Sequence, residues 1–308
     1  MQKTLTALTL ALIAAAPIGA QDKPAAPLAP SEIVAAAPKT DWTAIAPSDL
    51  LVMDIAPDAK GRPRRVVIQL MPPPFSQGWI GNIRKLAAAR FWDGTSVNRV
   101  QDNYVVQWGD ATEKKALPAG LATVPESEYL VSDPRRFPFR VEVDNESVHD
   151  SYADYAMPIM GWPVAFFEDG VWPVHCYGMV GVGRNLSPDT GTGAELYTVI
   201  GHAPRHLDRN IAVVGRVIEG IEHLSSLPRG TEALGFYRTA KERTKIRSVR
   251  LGNEVTGLPG YEFLSTESGS FAAYADARAN RRDAFFIRPA GGADVCNIPV
   301  PVRRVSVK

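Results

Sequence analysis

Only two cysteines and five histidines occur in 308 residues, and none of them stands at metal-ligand spacing. His202 and His206 are four apart, but Pro204 between them argues against a shared helix face, and no glutamate follows His202. No metal and no cofactor are therefore expected. Neither charge is in surplus, with 34 Lys and Arg against 33 Asp and Glu; that balance excludes a bulk field for nucleic acid or anionic lipid. Gly181–Leu186, GVGRNL, begins like a dinucleotide loop but lacks the third glycine and a βαβ context. No nucleophile-elbow spacing occurs, and no repeat is visible.

What the chain does have begins with Lys3, an uncharged apolar run from about Leu5 to Ala16, and small residues up to Ala20. This is the order of a secretory signal, and the run is too short for a membrane-spanning helix. Cleavage near Ala20 and export are expected, with no membrane span in the mature protein. Residues 21–47, rich in Pro and Ala, read as a mobile linker. Cys176 and Cys296 lack any catalytic pattern. In an oxidising compartment they fit a disulfide closing a long loop, the alternative being two buried thiols. Asn145-Glu-Ser is a glycosylation acceptor only in a eukaryotic secretory route.

Further on, DLLVMDIA (49–56) and RRVVIQLMP (64–72) read as a hairpin. Apolar Trp79, Ile80, Ile83, Leu86 and Ala87 recur at a helical period until Asp93-Gly94 breaks it. Residues 111–177, rich in Pro, Asp and aromatics, read as an insertion of loops plus an irregular strand or two. AELYTVI (194–200) reads as a strand, NIAVVGRVIEGIEHLSSL as a strand passing into a helix, and TKIRSVRL (244–251) as a further strand. Mostly antiparallel strands with two helices predict a closed barrel rather than a doubly wound sheet.

One segment stands out because it holds a single cation among apolar alternation: FWDGTSVNRVQDNYVVQWGD (91–110), with Arg99 as that cation. The order VVIQLMP, NIRKLA, FWDGTSVNRV, QWGD, then GMVGVG, GTGAELYTVIG and HLDRNIAVVGRVIEGIEHL resembles the cyclophilin-type peptidyl-prolyl isomerases over residues 48–252. The resemblance implies a mainly β fold, a closed eight-stranded antiparallel barrel capped by two helices, with a shallow peptide groove outside. Its partners would be proline-containing peptides or unfolded protein clients. It also implies a use for Arg99. Rotation about an X–Pro bond breaks amide resonance against a barrier of about 18–20 kcal/mol, and a guanidinium beside the prolyl nitrogen hydrogen-bonds the lone pair that appears only in the twisted state.

By the same resemblance Arg99 is the catalytic arginine, Tyr104 an aromatic of the proline pocket, Val105 a methionine equivalent and Gln107 a groove glutamine. Arg99 and Gln107 differ by an even number, which puts them on one face if no bulge intervenes. Val180 replaces the alanine of a Met-Ala pair, Met179 being kept, and Trp108 replaces a glycine. Ala194-Glu195-Leu196-Tyr197 stands where Ser-Gln-Phe-Phe is usual. Glu195 thus brings a carboxylate expected to pair with Arg99 or Arg184, and Tyr197 adds a hydroxyl that needs a partner. His206-Leu207 aligns with a Trp-Leu pair, and Ile211 with a groove histidine.

Residues 253–308 lie past the resemblance. They contain a helix pattern around 268–282 and a terminal strand, and are expected to pack on the barrel, with Cys296 reaching Cys176 in the insertion. Two functional readings follow: an exported prolyl isomerase, periplasmic if the source is bacterial, with Arg99 as electrostatic catalyst, or a non-catalytic peptide-binding or scaffolding module of the same fold. Retained Arg99 and Gln107 favour the first; Glu195 and Ile211 favour the second.

Overall fold

The computed structural model describes residues 27–133, 150–168 and 170–305. The expected signal at 1–20 and the Asn145 acceptor lie outside the described residues. In chain order the elements are α1 (Pro30–Ala36), β1 (Trp42–Ile45), β2 (Leu50–Ile55), β3 (Arg64–Leu70), α2 (Gln77–Ala88), β4 (Ser96–Val100) and β5 (Val105–Gly109). Then come β6 (Tyr155–Ile159), β7 (Trp162–Phe167), β8 (Gly170–Pro173), β9 (Met179–Val182), β10 (Leu196–Val199), β11 (Val213–Glu219) and α3 (Glu222–Ser225). The chain ends with β12 (Ile246–Leu251), β13 (Tyr261–Leu264), α4 (Gly269–Ala279) and β14 (Val302–Arg304).

Eight strands form one antiparallel sheet in the order β12-β2-β3-β11-β9-β10-β5-β4. The sheet curls until its edges meet, where an antiparallel bridge joins Ser96 to Lys245. Strand alternation sends Leu51, Met53 and Ile55 of β2 and Val66, Ile68 and Leu70 of β3 into the interior. Helix α2 closes the barrel with the residues whose period announced it, Trp79, Ile80, Ile83, Leu86 and Ala87, and α3 adds Leu224.

Two further layers lean on this barrel. Strand β2 is apolar on both faces: outward Leu50 and Val52, with Val67 of β3, pack against Ile45 and Tyr261. Strands β1, β13 and β14 form their own antiparallel sheet. Trp42, Leu264, Phe271 and Tyr274 make a small second core with partly buried Ile33 and Val34 of α1.

The reading of 21–47 as a linker is thus corrected from Pro30 onward. Proline at the first helical position starts a helix rather than interrupting one, and the Ala29 backbone N–H donates to the Glu32 carboxylate at 2.7 Å. The insertion differs as well. Its strands β6, β7 and β8 are a regular antiparallel meander, because aromatic and β-branched residues alternate there in spite of the prolines.

Cys176 and Cys296 are joined in a disulfide, their Cα atoms 5.1 Å apart. Buried Arg216 of β11 links the barrel, the insertion and β13: its Nε and Nη2 donate to Gln69 Oε1 of β3 at 2.9 and 2.8 Å, and its Nη1 donates to the Gly161 carbonyl at 2.6 Å. Its guanidinium carbon lies 4.5 Å from the Trp162 ring and 5.7 Å from the Phe263 ring.

Candidate active site

The site grows out of the β4–β5 hairpin and its neighbour β10. Arg99 stands directly opposite Gln107 across the hairpin, and Gln107 opposite Tyr197 across the next pair. A bulge does interrupt β4, between Val97 and Arg99, but it lies before Arg99. The two side chains share the outer face because they are cross-strand partners. On β10 the outward positions are Tyr197 and Val199, with Glu195 just before the strand, and on β5 Val105, Gln107 and Gly109.

Apolar side chains converge beside the guanidinium. Buried Val105, Tyr197 and Val199 pack with partly buried Tyr104, Leu207 and Ile211 into a cluster separate from the barrel core. The His206 ring lies nearly parallel to Tyr104, 12° between planes and 6.3 Å between centroids. Val180 is not brought here. It pairs with inward Thr198 and sits in the barrel core, so the groove lining expected at that position falls instead to Gly181, opposite Tyr197.

Among the described residues, the hydrogen-bond partners that hold Arg99 are neutral. Its Nε donates to the Leu234 carbonyl at 2.7 Å, its Nη1 to Gln107 Oε1 at 3.1 Å and its Nη2 to Gln101 Oε1. The guanidinium carbon lies 5.5 Å from the Tyr104 ring and 5.3 Å from the Phe236 ring. Partial burial pushes its pKa below that of a free arginine, and it remains a cation at neutral pH.

Glu195 pairs with neither Arg99 nor Arg184, which corrects the expectation. Its Oε1 accepts from Gln107 Nε2 at 3.0 Å and from Asn98 Nδ2 at 3.2 Å, while Arg184 donates to the carbonyls of Asn210 and Asn185. Gly109 makes the position habitable: a Cβ there would lie 1.9 Å from Glu195 Oε2. Because Glu195 takes the Gln107 amide N–H, the Gln107 oxygen is left facing Arg99, so the carboxylate orders the groove through Gln107.

Burial, only partly offset by the hydrogen bonds from Gln107 and Asn98, raises the Glu195 pKa above its ordinary 4.5. A carboxyl that binds its proton more tightly when folded favours the fold at low pH, and this support is lost as pH rises through the raised value. Glu195→Gln is therefore expected to melt higher than the wild type at pH 7 to 8. The difference should shrink to nothing as pH falls to about 4.5. Melting temperature against pH for both proteins measures it, and a constant difference over that range would refute the assignment.

The Tyr197 hydroxyl finds its partner in His175, whose Nε2 lies 2.8 Å away. His175 was not legible as a site residue, nor were Asn98, Gln101, Asp208, Leu234 and Phe236. The one available signal was the hydroxyl that Tyr197 adds where phenylalanine is usual.

An outward sheet face with one fixed cation beside an apolar cluster that holds two tyrosines, on a closed antiparallel barrel, fits the class of peptidyl-prolyl isomerases. A family model described as cyclophilin type peptidyl-prolyl cis-trans isomerase/CLD matches residues 73–251. The chain belongs to this family. Among solved structures, the cyclophilin AquaCyp293 from Hirschia baltica superposes with a TM-score of 0.64 at 21% identity, over 87% of this chain and 94% of that one. A Cryptosporidium parvum cyclophilin type peptidyl-prolyl cis-trans isomerase, solved in the presence of the dipeptide ala-pro, has a TM-score of 0.38 at 12% identity, covering 65% of this chain and 98% of its own. The same parasite protein without that dipeptide also scores 0.38, at 11% identity, covering 66% and 97%. No curated protein matches the sequence.

Proposed function

We propose that the groove isomerises X–Pro bonds in exported client proteins, with Arg99 as the electrostatic catalyst. The N-terminal signal pattern supports export, to the periplasm if the source is bacterial. The observation that carries the catalytic reading is a guanidinium fixed by neutral partners against the apolar cluster of Tyr104, Val105, Tyr197, Leu207 and Ile211. A proline ring packs against such a cluster, and its nitrogen then lies beside a donor that needs no reorganisation. The lone pair on that nitrogen is tied up in amide resonance in both planar ground states and is released when the bond twists. A hydrogen bond to it therefore strengthens only in the transition state, which is the condition for catalysis. Of the five guanidinium N–H groups, the contacts to Leu234, Gln107 and Gln101 occupy three, so two are left for a substrate.

Those same three contacts favour a second reading, a module that binds proline peptides without turning them over. The test is acceleration of cis-to-trans conversion in a chromogenic Ala-Pro peptide by the purified protein. A rate above the thermal background, which takes tens of seconds, is the expected result. Binding of the peptide with no acceleration would replace the isomerase reading with the binding one.

A further inference from the structure

We propose that His175 is a positioning residue for the groove: it holds Tyr197, the wall of the proline pocket, in place through the hydroxyl, an inference that rests on the isomerase reading above. His175 is completely buried and comes from the insertion, just before the disulfide-bonded Cys176. Its ring lies nearly parallel to that of Tyr197, 11° between planes. Nδ1 lies 2.8 Å from Asp208 Oδ1, and the backbone N–H of His175 donates to the same oxygen at 3.0 Å. Asp208 is itself tied down, its Oδ2 accepting from Arg205 Nε at 2.7 Å. Burial alone would raise the Asp208 pKa, but the contacts with His175 and Arg205 outweigh it and hold the carboxyl below its usual range. An ionised Asp208 accepts only, so Nδ1 donates to it and Nε2 is left for the Tyr197 hydroxyl.

Two consequences bear on the pocket. First, the Tyr197 hydroxyl is engaged inward by His175, and burial pushes the phenol well above its ordinary pKa, so the face offered to a proline ring is apolar. The ring lies over Gly181, where a Cβ would come 2.3 Å from the hydroxyl; only glycine at that position leaves Tyr197 its path to His175. Second, the Arg205–Asp208 ion pair brackets His206 and Leu207, and Arg205 continues to Asp150 in a bidentate pair at 2.8 Å. One buried chain of contacts thus fixes two sides of the pocket, Tyr197 and the turn that carries Leu207, from residues that do not touch a substrate.

The experiment compares the full chain with His175→Leu, Tyr197→Phe and the double variant, reading kcat and KM for an Ala-Pro peptide, affinity for the same peptide, and melting temperature. Asp208 keeps Arg205 and the backbone N–H in every variant, so folding is retained. His175→Leu leaves the hydroxyl unpartnered and the ring free to shift. The expected result is about a tenfold loss of kcat/KM, carried mainly by KM. The double variant should return to the level of Tyr197→Phe alone, since no hydroxyl then needs holding. Equal kinetics for His175→Leu and wild type would overturn the positioning role while leaving the isomerase reading intact. A double variant as impaired as His175→Leu would also overturn it, by making the effect one of general packing. Should the wild type itself show no acceleration, the isomerase reading fails separately, and peptide affinity, wild type against His175→Leu, decides the positioning role.

Discussion

Arg99→Ala is expected to lower kcat/KM for an Ala-Pro peptide by about 10²–10³-fold while the protein stays folded. The size follows from what the proposed mechanism assigns to Arg99, a preorganised donor aimed at charge that develops only in the transition state. The fold survives because the partners left behind are neutral and reach solvent: the Leu234 carbonyl and the Gln101 and Gln107 amides. Losing these hydrogen bonds and the contacts with the Tyr104 and Phe236 rings costs about 1–2 kcal/mol of stability. Arg99→Lys is a sharper control than alanine. It keeps the charge, but a point ammonium cannot meet a carbonyl and two amides in the fork geometry of a guanidinium, so its rate should fall between the two. Stopped-flow isomerisation with circular dichroism on the same samples measures both properties. Wild-type kinetics in Arg99→Ala would remove Arg99 from the mechanism.

The groove was partly legible because cross-strand pairing turns local sequence into geometry. Arg99 and Gln107 sit in one hairpin, so an even spacing and a short turn were enough to bring them together. Glu195 was legible as a carboxylate in the groove but not in its pairing. Arg99 is drawn toward the Leu234 carbonyl 135 residues away, and Arg184 toward local carbonyls, and neither competition is written near Glu195. Val180 failed for a related reason. Alternation along β9 is set by its partner β10, where Thr198 faces inward between outward Tyr197 and Val199. His175 is the extreme case: it reaches Tyr197 from an insertion that the resemblance left unaccounted for, so only the unmet hydroxyl pointed to it. The Pro/Ala stretch before β1 misled in the opposite way, since composition describes an isolated chain, whereas α1 is stabilised by packing against Phe271 and Tyr274 of α4.

Arg216→Ala is expected to lose about 4 kcal/mol of unfolding free energy. Burial pushes this guanidinium down to about 9, with no charged group among the described residues to offset it, so it is a cation at neutral pH held by neutral partners. Its compensation is spread over Gln69, the Gly161 carbonyl and the faces of Trp162 and Phe263. These belong to the barrel, the insertion turn and β13, so the side chain that is costly to bury also joins three parts of the molecule. Alanine removes the desolvation cost but leaves two acceptors unpaired, at about 1–3 kcal/mol each, and opens a cavity under the rings. Arg216→Met fills that volume and leaves the same acceptors orphaned, so it should lose about half as much. Guanidinium chloride unfolding of both variants at pH 7 separates the cavity from the hydrogen bonds. If methionine proved as stable as the wild type, packing and the Cys176–Cys296 disulfide would hold the insertion and the C-terminal sheet to the barrel, and the buried charge would have no part in it.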